Sequence, residues 1–149
     1  MKEAVVCDSS CLIALERIGH LDLLPALFHP VQAPPAVHQE FGASPEWLRV
    51  EAPTDRALVT ALGMLMDAGE AEAVALASER GWLIILDDRQ ARAVARRLDL
   101  QIVGTVAILV RAKKQGLIEA IGPLLDDLAE NEFRIGEALR QEALRLAGE

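Results

Sequence analysis

The sequence predicts an α/β protein: a parallel β-sheet with helices packed on both faces. Three observations carry this reading. Short apolar runs alternate along the chain with segments of helical periodicity. The clearest strand, Trp82-Leu83-Ile84-Ile85-Leu86, shows no polar alternation, so both its faces are buried, as in a central parallel strand. Two of the apolar runs end in acid, Val5-Val6-Cys7-Asp8 and Leu86-Asp87-Asp88, which is how a strand leaves the carboxyl edge of such a sheet.

The elements follow in order. Val5–Cys7 reads as a strand, and Asp8-Ser9-Ser10 as a turn into a helix through Leu12, Ile13, Ala14 and Leu15. Alone, the simplest role for Asp8, Ser9 or Ser10 is to cap that helix. Gly19-His20 marks a turn. Leu21–Phe28 reads as a second helix, ended by Pro30, and Val31-Gln32-Ala33 as a short strand. Pro34-Pro35 opens a helix, where the missing N–H of proline costs little, and Gly42 closes it after Val37 and Phe41. Leu48–Glu51 is a short edge strand.

Thr54 opens a helix through Leu58, Leu62 and Leu65, and Asp67-Ala68-Gly69 reads as a break. Gly69–Ala77 is an alanine-rich helix with acids in its first turn, where they suit the positive end of the helix dipole. Gly81 ends it. After the Trp82–Leu86 strand comes a helix with Ala91, Val94, Ala95 and Leu98 on one face and Arg89, Arg92 and Arg96 on another. Leu100–Val103 is the last strand, Gly104-Thr105 its turn, and Val106–Lys114 its helix. Two closing helices occupy roughly 123–147. With 149 residues and no convincing linker or repeat, one domain is expected over 1–149.

Composition excludes several classes. The net charge of −8 argues against a general nucleic-acid binder. One basic segment is set inside this acidic chain: residues 89–114 carry seven Lys/Arg against the single acid Asp99. With three Phe, two Trp and no Tyr, a stacking platform for single-stranded bases is not expected. Cys7 and Cys11 have neither a zinc nor a redox spacing and read as small buried side chains. His20, His29 and His38 stand nine apart, which aligns them on no helix face. No signal peptide is recognisable, and the longest apolar run, Ile102–Val110, is too short for a bilayer. A cytoplasmic protein with no membrane contact is expected.

Strands parallel in one sheet bring Asp8 and the Asp87-Asp88 pair to one edge. Glu70 starts the helix that precedes the second of these strands, so it begins at that edge too. Two unit charges ~4 Å apart repel by about 4 kcal/mol at an effective dielectric of 20. A hard divalent ion offsets that repulsion, and Mg²⁺ or Mn²⁺ takes such oxygen ligands. No glycine-rich phosphate loop and no Ser–His–Asp or Cys–His pairing is legible. An acidic site of this kind points to phosphodiester hydrolysis.

Five pieces, in order, resemble a known family: Val-Val-Cys-Asp8-Ser9-Ser10, Pro35-Ala-Val-His-Gln-Glu40-Phe, Gly69-Glu70-Ala-Glu72-Ala, Leu86-Asp87-Asp88-Arg89-Gln-Ala-Arg92 and Val103-Gly104-Thr105. Together they resemble the PIN domain, the metal-dependent ribonuclease fold of VapC-like toxins. The Gly-Glu-x-Glu-Ala and Asp-Asp-x-x-Ala-Arg pieces resemble one subgroup of it. The resemblance implies a three-layer α/β/α sandwich. It implies Asp8, Glu40, an acid near position 70 and an acid at 87 or 88 around Mg²⁺ or Mn²⁺. It implies RNA as substrate, a homodimer, and a cognate antitoxin protein. The third acid of the family is commonly Asp; here it is Glu70 or Glu72, with spacing favouring Glu70. Asp87 is preferred for the fourth because Asp88 can cap the next helix. Thr105 resembles a supporting hydroxyl and equally reads as a helix cap; Ser9 is a further candidate. Arg89, Arg92 and Arg96 are candidate RNA-backbone contacts beside the site, or a solvated face.

Overall fold

The computed structural model describes residues 1–149. Five strands are joined by helical crossovers: β1 (Glu3–Cys7), β2 (Phe28–Ala33), β3 (Leu48–Val50), β4 (Leu83–Ile85) and β5 (Ile102–Val103). All neighbouring pairs are parallel, in the order β3-β2-β1-β4-β5. The helices are α1 (Ser9–Arg17), α2 (Leu23–Leu27), α3 (Pro35–Phe41), α4 (Arg56–Leu62), α5 (Ala68–Arg80), α6 (Arg89–Arg97), α7 (Thr105–Lys114), α8 (Gly122–Glu130) and α9 (Glu137–Leu146). The architecture is the three-layer α/β/α sandwich. β1 and β4 are apolar and buried through their central residues, as strands covered on both faces must be.

The strand order positions the site. The chain winds outward from β1 to β2 and β3, then returns to place β4 on the other side of β1. The crevice beyond the carboxyl ends of β1 and β4 is therefore the topological switch point, where open α/β sheets bind ligands. Register aligns Cys7 with Ile85, and Ile85 with Val103. The ladder runs one bond further: the Asp8 amide donates to the Ile85 carbonyl at 3.2 Å, and Leu86 N–H to Val103 O at 2.9 Å. Asp8 follows β1 by one residue and Asp87 follows β4 by two. Helices α1, α3, α6 and α7 all start at this edge within four residues of a strand's end, so the positive ends of their dipoles gather there.

Three local readings change. The second helix stops at Leu27 and β2 begins at Phe28, so Pro30 lies inside a strand. The pairing explains this: Glu3 opposes Phe28 while Val5 opposes Val31, an irregularity that takes up His29 and Pro30. A proline, which lacks a ladder donor, fits at such a bulge. The 54–65 helix begins at Arg56, with the Asp55 side chain accepting from Leu58 N at 3.0 Å, and ends at Leu62. Asp67-Ala68-Gly69 is no break: Asp67 is the N-cap of α5. No helix of the structure is long and apolar enough to cross a membrane. Cys7 and Cys11 are both buried and unbridged, and burial pushes both thiols up.

Candidate active site

Asp8 occupies the N-cap position of α1, with extended backbone angles, but its side chain caps nothing. It is 3 % exposed. Its Oδ2 accepts from the Ser10 hydroxyl at 3.3 Å, and its buried Oδ1 has no hydrogen-bond partner. Burial pushes its carboxyl up to about 7. The Ser9 amide opposes that rise, the charges of Asp67 and Glu40 add to it, and the Ser10 hydroxyl opposes it. A carboxylate in such a place is costly unless a cation or a proton completes it.

Asp87 is the second member. Ser10 Oγ lies 3.4 Å from its Oδ2, so one hydroxyl spans both carboxylates. Thr105 fixes it from the other side, donating from its amide to Oδ1 at 2.8 Å and from its hydroxyl to Oδ2 at 2.6 Å. Thr105 is thus the first residue of α7 and a support for Asp87, and Gly104 takes the N-cap position. Asp88 caps α6, accepting from Ala91 N at 2.9 Å. The division of labour in the Asp87-Asp88 pair follows from the backbone: the first faces the switch point and the second turns to the helix start.

The remaining acids surround this pair. Glu40, exposed near the end of α3, accepts a short hydrogen bond from the Ser9 hydroxyl. Glu70 accepts from the Asp67 amide at 3.2 Å while Asp67 Oδ1 accepts from the Glu70 amide at 2.8 Å, a reciprocal capping box. Burial pushes the Glu70 carboxyl up to about 7; the Asp67 amide opposes this, and the charges of Asp67, Asp8 and Asp88 reinforce it. Glu72 points elsewhere. It accepts from Ala36 N at 3.1 Å, at the start of α3, and lies 3.9 Å from Arg56.

Sequence reasoning missed Asp67, whose charge acts on Asp8 more strongly than that of Glu40. The signal was present: an acid three residues before Glu70 is the capping-box spacing. Gly69, in the first turn of α5, lies beside both acids: a Cβ there would be in ordinary contact, 3.6 Å from Asp67 Oδ1 and 3.8 Å from Asp8 Oδ1. Ser10, which spans the acids, was read only as a turn residue or helix cap.

Above the acids opens a cleft of about 920 Å³, lined by Ser10, Glu70, Asp87, Asp88, Arg89 and, from the α8–α9 loop, Phe133 and Arg134. Of the basic face on α6, Arg89 lines this cleft. Arg92 turns inward and donates to the Leu86 carbonyl at 3.3 Å. Arg96 is exposed in the last turn, at the far end of α6 from Asp88.

No group of three or more His, Cys, Asp or Glu side chains is close enough in this structure to share one metal ion. The four expected acids are therefore not drawn into one ligand set: Asp8 and Asp87 share Ser10, and Glu40 and Glu70 are held beside them. Two carboxylates are still a fitting donor set for Mg²⁺ or Mn²⁺, which keeps waters and takes substrate phosphates as its other ligands. The partnerless Oδ1 of Asp8 and the oxygen-only donors agree with a hard cation.

An acid-lined cleft at the switch point of a 3-2-1-4-5 parallel sheet defines an α/β protein with its candidate site at the carboxyl edge of the sheet. The family model DUF3368, described as a PIN domain, matches residues 4–149. The chain belongs to the PIN-domain family, whose members are generally nucleases. The comparison with curated proteins found no match.

Proposed function

We propose that this chain is a metal-dependent endoribonuclease, the toxin of a toxin–antitoxin pair. The observation that carries the reading is Asp8: a buried carboxylate with a partnerless oxygen, sharing with Asp87 the Ser10 hydroxyl, and both Ser10 and Asp87 line an open cleft. Asp8 and Asp87 are the residues that would hold Mg²⁺ or Mn²⁺, with Glu40 and Glu70 beside them. Such an ion supplies charge that polarises a phosphate and acidifies water. Thr105 and Ser10 fix the orientation of the two carboxylates, and Ser9 holds Glu40. Arg89 in the cleft wall offers a charge to the RNA backbone, which compensates in part for the acidic floor. Hydrolysis adds water to phosphorus and breaks the bond to the 3′ oxygen, leaving 5′-phosphate and 3′-hydroxyl ends.

A homodimer and a cognate antitoxin complete this reading, in keeping with the VapC-like resemblance. Met64 and Leu65 stand exposed next to Met66 and Asp67, an apolar edge suited to a protein partner beside the cleft. The test is incubation of the purified protein with single-stranded RNA, with and without Mn²⁺, alongside Asp8→Asn. Mn²⁺-dependent cleavage lost in Asp8→Asn is the expected result; equal cleavage by both proteins removes the enzyme.

Two observations favour a second reading, a PIN-domain binding module without useful catalysis. Glu70 is engaged in a capping box and no three acids converge. Calorimetric titration separates the two: no Mn²⁺ binding at millimolar concentration selects the module.

A further inference from the structure

The α8–α9 loop is the part of the cleft that the acids do not explain. Phe133 lines the large cleft with Ser10 and Asp87, a second with Ser10 and Glu40, and a third with Asp87, Arg92 and Gly104. Its ring thus stands where these spaces meet, beside the serine that spans the two central acids. Of the other aromatic side chains, Phe28 and Phe41 are buried and Arg80 covers Trp82, while Trp47 packs against the core. Phe133 is the aromatic residue of the cleft.

The backbone places it there at a cost. Helix α8 ends in a Schellman motif: Phe133 N–H donates to Leu128 O at 3.0 Å, and Glu132 N–H to Ala129 O at 3.2 Å. The residue that turns the chain is Glu132, with φ +68°, where glycine is the usual choice. That turn delivers Phe133 and Arg134 to the cleft. Arg134 is exposed and makes no hydrogen bond or ion pair, unlike Arg140 and Arg145 of the following helix, which pair with Asp126 and Glu142. A guanidinium left free in a cleft with Asp87, Asp88 and Glu70 is available to an anionic ligand.

We propose that the α8–α9 loop is the strand-gripping wall of the site, where Arg134 takes a phosphate of single-stranded RNA and Phe133 stacks on an adjoining base. This rests on the ribonuclease reading. One ring is enough for such a contact, because every base presents a π-face, and no platform is required. Arg134 and Arg89 line the same cleft, so the strand crosses between two cations above the acids. The contact is tolerant of sequence but selective for single strands, since a base stacked inside a duplex offers no free face.

The experiment measures anisotropy of a fluorescein-labelled single-stranded RNA on Asp8→Asn protein, with Phe133→Leu and Arg134→Ala added separately, and cleavage by the same substitutions in the otherwise unchanged chain. Phe133→Leu keeps an apolar contact for the Schellman turn, and circular dichroism checks that both variants fold. Phe133→Leu is expected to weaken single-strand binding at least fivefold. Arg134→Ala is expected to weaken it several-fold and to lower the salt dependence by about one phosphate contact. Duplex RNA is expected to show no Phe133 dependence. Folded variants that bind within twofold of the parent, while the unchanged chain cleaves RNA, overturn the wall and leave the nuclease standing. An unchanged chain that neither binds nor cleaves RNA overturns both.

Discussion

Thr105 donates to Asp87 twice, from its amide at 2.8 Å and from its hydroxyl at 2.6 Å, and so clamps both oxygens of one carboxylate. Thr105 is completely buried, out of reach of bulk solvent. Thr105→Val keeps the shape and the amide bond and removes the hydroxyl. Mn²⁺ affinity by calorimetry, and cleavage, are expected to fall about 10- to 100-fold, as for other groups that orient a metal ligand. Thr105→Ser is expected to retain both.

Gly104 has ordinary backbone angles (φ −101°), so replacing it tests space alone. A Cβ there would lie 2.9 Å from Arg92 Nη1 and 3.0 Å from Asp87 Oδ1. Because Thr105 pins Asp87, the Arg92 guanidinium gives way and leaves the Leu86 carbonyl. Gly104→Ala is expected to cost about 1–2 kcal/mol in urea unfolding. Its loss of Mn²⁺ affinity is expected to exceed what that stability change explains.

Asp8 makes the metal-free protein sensitive to pH. Its carboxyl rises from 3.8 to about 7 on folding, so the native state holds its proton more tightly than the unfolded chain. The stabilisation is complete below about pH 3.8 and is lost as pH rises through about 7. In EDTA, Tm is expected to fall by roughly 5–10 °C between pH 5 and pH 8. Asp8→Asn is expected to flatten most of that fall, with Glu70 supplying the remainder, and Mn²⁺ to restore Tm at pH 8 in the unchanged chain alone.

Glu70 and Glu72 divide site from scaffold. Glu72→Gln disturbs the bond to Ala36 N and the approach of Arg56, and is expected to cost about 1 kcal/mol with cleavage retained. Glu70→Gln still offers an oxygen to the Asp67 amide but removes a charge beside Asp8, and is expected to lower cleavage at least tenfold. The reverse pattern in parallel assays moves the third acid to Glu72.

Much of this was legible because the decisive features are local. An apolar run without alternation that ends in Asp names a parallel strand and its carboxyl end together, and Cys7-Asp8 and Leu86-Asp87 each do so. The cap at Asp88 was legible for the same reason, since N-cap chemistry is a short-range pattern. Asp67 was misread because Gly69, two residues later, looks like punctuation; it lies instead inside the first turn of α5, next to Val37 and Asp8. Pro30 was read as the end of an element because a bulge that admits proline depends on the neighbouring strand. The α8–α9 loop was beyond reach: Phe133 meets Ser10 across more than a hundred residues, and neither carries a sign of the other.

The strand order also sets when the cleft comes into being. Val5 of the central strand has its second partner in Leu83, and the wall at Phe133 is made later still. During synthesis Asp8 therefore emerges well before its partners, and the cleft has no second wall until the α8–α9 loop has followed. For a protein that would cut RNA, translation itself keeps the weapon disassembled until the segment carrying Phe133 has left the maker.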